Sequence, residues 1–134
     1  MSYIGSRRSR APWWSDEDWD ATQKINNGAL KDYHIAKLAA DEALVEAGRR
    51  RGEGWTGWCL RPGSLSDENS GGVKLGRIEA RGTIGRGKVA EVAVALLERE
   101  GGGGWVDCLD GEKGVVEEVQ RVVGEGVDCR EGED

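Results

Sequence analysis

The chain is poor in the residues that build metal centres and disulfide frameworks. It has one histidine, His34, and three cysteines, Cys59, Cys108 and Cys129. The cysteines are an odd set spaced far apart with no CxxC pair, so neither a zinc site nor a disulfide scaffold is expected. Cys59 and Cys108 sit in apolar runs and read as buried free thiols in a reducing compartment. No cysteine has a resolving neighbour, which argues against a redox-sensing thiol protein. No apolar run approaches the ~20 residues of a membrane span, and the N-terminus has no signal-type apolar core. The expected class is a soluble cytoplasmic protein. Two prolines stand against 22 glycines; without a collagen period, those glycines read as loop and turn residues.

Basic surface is also scarce. The net charge of -6 argues against nucleic acid as a partner, because phosphate neutralisation needs a cationic face. From Asp110 onward there are nine acids and three bases, and residues 124–134 read as an acidic, disordered tail. Arg7, Arg8 and Arg10 give the opposite bias near the start. Hydrophobic content is 37% and mean hydropathy -0.59. At 134 residues the chain is read as one domain, 1–134, large enough to bury a core.

What is present is an alternation of helical and extended patterns. Ser2 to Gly5 (SYIG) opens the chain as a short strand-like scrap. Ser15 followed by Asp16, Glu17 and Asp18 is a helix start, with a side-chain cap and acids against the helix dipole. That helix is expected to stop at Asn26-Asn27-Gly28. Trp13, Trp14 and Trp19 should pack as a cluster. A second helix runs from about Leu30 to Arg50, with Ile35, Leu38, Ala39, Leu44 and Val45 as its apolar stripe. Trp55 to Leu60 reads as a strand ended by Pro62 and Gly63. Short extended pieces follow around Val73–Leu75 and Thr83–Ile84. Then come a helix over Lys88–Glu98, a strand over Trp105–Leu109 and a last helix over Val115–Val123. The order predicts an α/β fold: a short parallel sheet of about three strands flanked by helices.

Tyr33 and Lys37 stand at i and i+4 and share one helical face. A phenol is a poor acid or base at neutral pH, and a nearby ammonium favours the phenolate. Such a tyrosine can pass a proton to or from a substrate oxygen. His34 points off that face and reads as a surface residue. The order YHIAKLAADEAL, then WTGWCLRPGSLSDE, then KVAEVAVALLE resembles the C-terminal half of the atypical short-chain dehydrogenase/reductase family. Those are NAD(P)-binding Rossmann proteins related to NAD-dependent epimerases and dehydratases. The resemblance runs from Ser2 to about Val119, and the RPG strand exit with its following L-S-D is its most specific part.

The resemblance implies a catalytic role for Tyr33, assisted by Lys37, which would also bond the nicotinamide ribose. Ser2 matches the serine that positions the substrate oxygen. Pro62, Gly63 and Ser64 would line the nicotinamide end of the cofactor. No metal is implied. An intact family member would perform redox or isomerisation chemistry on a small carbonyl or hydroxyl compound.

The departures from the family pattern shape the expectation for this chain. Dinucleotide binding needs a Gly-rich turn after the first strand and an acid about 20 residues on, and no such turn precedes Ser2. Gly82-Thr-Ile-Gly85-Arg-Gly87 before a helix imitates the fingerprint but has G-x-x-G-x-G spacing. The chain is therefore read as a partial Rossmann fold, a βαβαβ half, with Met1 an internal start. It should not bind NAD(P) tightly or turn over alone. The competing reading is a non-catalytic module, a homodimer paired through the sheet edge exposed along SYIG.

Overall fold

A computed structural model describes residues 1–133. Its elements in chain order are α1 (Asp16–Asn26), α2 (Lys31–Arg51), β1 (Trp58–Pro62), β2 (Ser64–Ser66), β3 (Gly72–Leu75), β4 (Thr83–Gly85), α3 (Arg86–Leu97), β5 (Gly104–Gly111) and α4 (Val115–Gly124). The main sheet has the order β1-β5-β3, and β2 and β4 form a second, parallel pair. β1 runs parallel to β5, with Leu60 opposite Val106 and Pro62 opposite Cys108. β3 is antiparallel to β5. The fold is thus a partial Rossmann-like α/β arrangement whose parallel core is a pair of strands with a reversed strand at one edge.

The opening SYIG scrap is not a strand span. It nevertheless lies along the free edge of β1, where Ser2 N–H donates to Leu60 O at 2.8 Å and Ile4 N–H donates to Pro62 O at 2.9 Å. β1 includes Arg61 and Pro62, beyond the expected end at Leu60. Pro62 is its last residue, a position where the missing N–H costs nothing. α1 begins as expected: Ser15 accepts from Asp18 N–H, and Asp18 returns a bond to the Ser15 backbone. α2 departs from its pattern. Asp41 is its sole fully buried residue, and Ile35 is 59% exposed, so the predicted stripe faces solvent over part of its length.

β5 is the spine, and its alternation sorts the core. Val106 and Cys108 face α3 and α4, packing with Leu60, Val92, Leu96 and Val119. Trp105 and Leu109 serve clusters outside that core, with Cys59 and Cys129 around Trp105 and with Ile4, Trp14 and Ile78 around Leu109. The tryptophan cluster forms as expected, Trp14 buried and Trp13 and Trp19 partly so. Trp13 and Trp14 both donate their indole N–H to Ile78 O. All three cysteines are free and buried. Burial pushes the Cys59 and Cys129 thiols up to about 12, which leaves them inert as nucleophiles.

The acidic tail is a correction. Through residue 133 it folds back onto the sheet rather than fraying; Asp134 lies outside the described residues. Cys129 N–H donates to Trp105 O at 2.9 Å, and Cys129 is 0% exposed. The reason is charge pairing that composition alone conceals. Arg61 on β1 grips the Glu133 carboxylate in two bonds of 2.7 and 3.1 Å. Arg7 reaches the same carboxylate at 3.3 Å and donates to Cys129 O at 2.6 Å. Both guanidinium groups also sit on indole faces, Arg61 over Trp105 and Arg7 over Trp14.

Asp107 of β5 completes this cluster, 3.8 Å from Arg7. It is fully buried, and neither carboxylate oxygen accepts a hydrogen bond from the described residues. Burial pushes its carboxyl up to about 7 against the pull of Arg61 and Arg7. The folded chain therefore holds this proton more tightly than the unfolded chain, where a carboxyl titrates near 4. Its stabilising contribution is full below about pH 4 and is lost as pH rises through about 7. His34 is shifted down by burial and acts in the opposite sense, so the comparison needs a variant. Between pH 5 and pH 8, urea unfolding should show wild type losing roughly 2 kcal/mol relative to Asp107→Asn. Parallel pH profiles for the two proteins would contradict this.

Candidate functional site

The strand exit Arg61-Pro62-Gly63 delivers the chain to a cleft of about 500 Å³, a size suited to a small molecule. Its walls are Tyr3 and Ile4 on one side, Ile25, Asn26, Leu30 and Tyr33 from the helices, and Pro62 to Leu65 below. Ala80, Arg81, Gly82 and Arg86 close the opposite rim. Gly63 is required by close approach. A Cβ there would lie 2.4 Å from Leu109 Cδ2 and 2.5 Å from Gly82 O, so the cleft floor tolerates no side chain at this position. A larger hollow of about 740 Å³ lies by β3, β5 and α4. Charged residues on its walls are tied up in pairs such as Glu118 with Arg121 and Lys113 with Glu117, which makes it the poorer candidate.

Four of the six residues expected from the sequence meet in the cleft: Tyr33, Pro62, Gly63 and Ser64. Tyr33 is 46% exposed, so its phenol is open to a ligand. Lys37 does not line the cleft. Its ammonium sits 5.5 Å from the Tyr33 ring centroid and donates to Met1 O at 3.3 Å. Ser2 is 3% exposed and its hydroxyl turns away from the cleft, donating to Asp41 Oδ2 at 2.7 Å. Ser6 donates to the same oxygen at 2.7 Å. Asp41 thus orders the opening segment against α2.

Tyr3 was not singled out in the sequence. Its ring packs 5.1 Å from that of Tyr33, and its hydroxyl donates to Asn26 Oδ1 at 2.8 Å. The Asn26 amide is oriented by its own donation from Nδ2 to Gly5 O. With the Tyr3 proton committed, the 2.8 Å contact with His34 Nδ1 must carry a proton from His34. His34 is therefore the Nδ1–H tautomer or the cation, and it is a half-buried structural partner rather than a surface residue. Burial, with Tyr33 and Asp41 beside it, raises the Tyr3 phenol well above its ordinary range, so Tyr3 remains a neutral wall. The signal that could have found it was its place next to Ser2 on a segment aligned with β1.

The surroundings of the cleft offer a phosphate little room. In the glycine-rich turn before α3 two glycine donors are already committed. Gly85 N–H donates to Asp110 Oδ1 at 3.2 Å and Gly87 N–H donates to Asn69 Oδ1 at 2.8 Å. A Cβ at Gly85 would meet Glu68 O at 2.2 Å, so protein fills the space a phosphate would need. Among the described residues no group of three or more potential ligands could hold a metal ion. No helix of the described residues is long and apolar enough to cross a membrane.

Comparison with known proteins agrees with this architecture. A solved oxidoreductase, ylbE from Lactococcus lactis, superposes with a TM-score of 0.62 at 23% identity, over 92% of this chain and 50% of that one. The chain thus spans half the length of that protein, and the likeness shows the fold. No curated protein matches the sequence. The family described as NAD(P)H-binding matches residues 9–100, more than half of the chain and most of the segment that resembles the atypical short-chain dehydrogenase/reductases. By that match the chain belongs to the NAD(P)H-binding family.

Proposed function

We propose that the chain supplies the substrate and nicotinamide side of an NAD(P)-dependent oxidoreductase domain, acting on a small carbonyl or hydroxyl compound. The observation that carries this reading is the convergence of Tyr33 with Pro62, Gly63 and Ser64 on one cleft. A nicotinamide bound there would supply a hydride donor or acceptor. Tyr33 would hold or release the proton at its Oη, and Lys37 over its ring would orient it. Tyr3, Ile4, Ile25 and Leu30 would keep water from the reacting face.

The phosphate side is proposed to lie outside this chain's own surface, which predicts a fragment-binding pattern. Nicotinamide mononucleotide should shift the backbone amide resonances of Tyr33, Gly63 and Ser64 at millimolar concentration. Adenosine monophosphate should leave them in place, and NADPH should bind no more than a few-fold better than the mononucleotide. Calorimetry showing micromolar NADPH affinity, or adenosine monophosphate shifting the same amides, would sink the proposal.

A further inference from the structure

The rim of the cleft carries two arginines in different electrical states. Arg86 is paired, its Nη1 donating to Asp67 Oδ1 at 2.6 Å. Arg81 lines the cleft and is exposed, and no hydrogen bond or ion pair to it occurs among the described residues. Lys37 donates to Met1 O and Lys88 pairs with Asp110 at 2.7 Å; Lys24 and Lys31 neighbour the wall residues Ile25 and Leu30 in sequence, but neither lines the cleft. Of the two cations that line this largely apolar and aromatic hollow, Arg81 is thus the one with no ion pair among the described residues. Arg81 offers an anion a local attraction at the cleft rim against the long-range repulsion of the acidic surface.

We infer that the cleft selects a small molecule with an apolar or aromatic body and a carboxylate that Arg81 receives at the rim. Tyr3, Tyr33, Ile25 and Leu30 would take the body. The planar guanidinium of Arg81 suits a two-point grip on a carboxylate, which fixes orientation as well as charge. This narrows the substrate class of the oxidoreductase reading above and rests on it for the chemistry, although the binding itself is testable without a cofactor.

The probes are 3-phenylpropionate and its neutral counterpart 3-phenylpropanamide, titrated into the full chain at fixed ionic strength and followed by the amides of Leu65, Arg81 and Gly82. The acid should bind about tenfold more tightly than the amide, the size of one charge-assisted contact. Arg81→Gln should abolish that preference while leaving the melting temperature unchanged, since Arg81 makes no ion pair among the described residues. Arg86→Gln should change the preference by less than about threefold because Arg86 is already neutralised by Asp67. Equal binding of acid and amide, or an Arg81→Gln protein that keeps the preference, would overturn the inference. Inorganic phosphate competing as well as the aromatic acid would also overturn it, by showing a bare anion site with no role for the apolar walls. Loss of this preference with the nicotinamide mononucleotide shifts intact would remove only the substrate class; the reverse result would remove the nicotinamide reading and keep the acid site.

Discussion

Glu133→Ala is expected to lower the unfolding free energy by about 3–5 kcal/mol, the cost of stripping one partner from a buried ion pair. Arg7 and Arg61 are each 1% exposed, and Glu133 is the carboxylate that both touch most closely. Without it the nearest carboxylate to their charges would be Asp107, whose oxygens accept no hydrogen bond from the described residues. Water cannot easily enter, because indole rings cover both guanidinium groups. Differential scanning calorimetry should show a drop of roughly 10–20 °C. Glu133→Gln, which keeps an acceptor but not the charge, should lose less. A shift of only a few degrees for the alanine variant would mean that the tail is dispensable to the fold.

Asp110→Ala should cost about 2–4 kcal/mol for a related reason on the other side of the molecule. Lys88 has a side chain only 4% exposed, and Asp110 is its counter-ion at 2.7 Å. Ser70 O and Gly72 O accept from the same ammonium but carry no full charge. Asp110 also accepts from Thr83 Oγ1 and Gly85 N–H, so one carboxylate joins the end of β5 to β4 and the start of α3. Partial exposure of Asp110 places the effect below that at Glu133. Hydrogen exchange at Gly85 should accelerate more than exchange at Val106 in the sheet centre. Equal acceleration at both would show a purely global loss of stability.

The helices and the two long strands were legible because their signals are local. A Ser cap with acids behind it, an apolar helical period and a Pro-Gly exit each act over a few residues. The pairing of Tyr33 with Pro62, Gly63 and Ser64 was legible only through family resemblance, since nothing local brings α2 to the end of β1. Three things were not legible. Arg7, Arg61, Asp107 and Glu133 look like scattered surface charges, and only tertiary packing turns them into a buried cluster. Ser2 could be aligned to a serine of the family, yet the presence of Asp41 on α2 decides where its hydroxyl points. The reversed β3 was read as a loose extended piece because four residues of strand carry too little periodicity to declare a direction.

The buried charge cluster also has a kinetic meaning. Its bonds join residues 122 and 72 positions apart in sequence, so it forms only after most of the loop-closure entropy has been lost. Contacts of that kind are made late on the folding path. Stopped-flow rates for Glu133→Ala should accordingly show most of its lost stability as faster unfolding, with the refolding rate little changed. The cluster acts as a clasp that sets how long the fold lasts rather than how quickly it is reached.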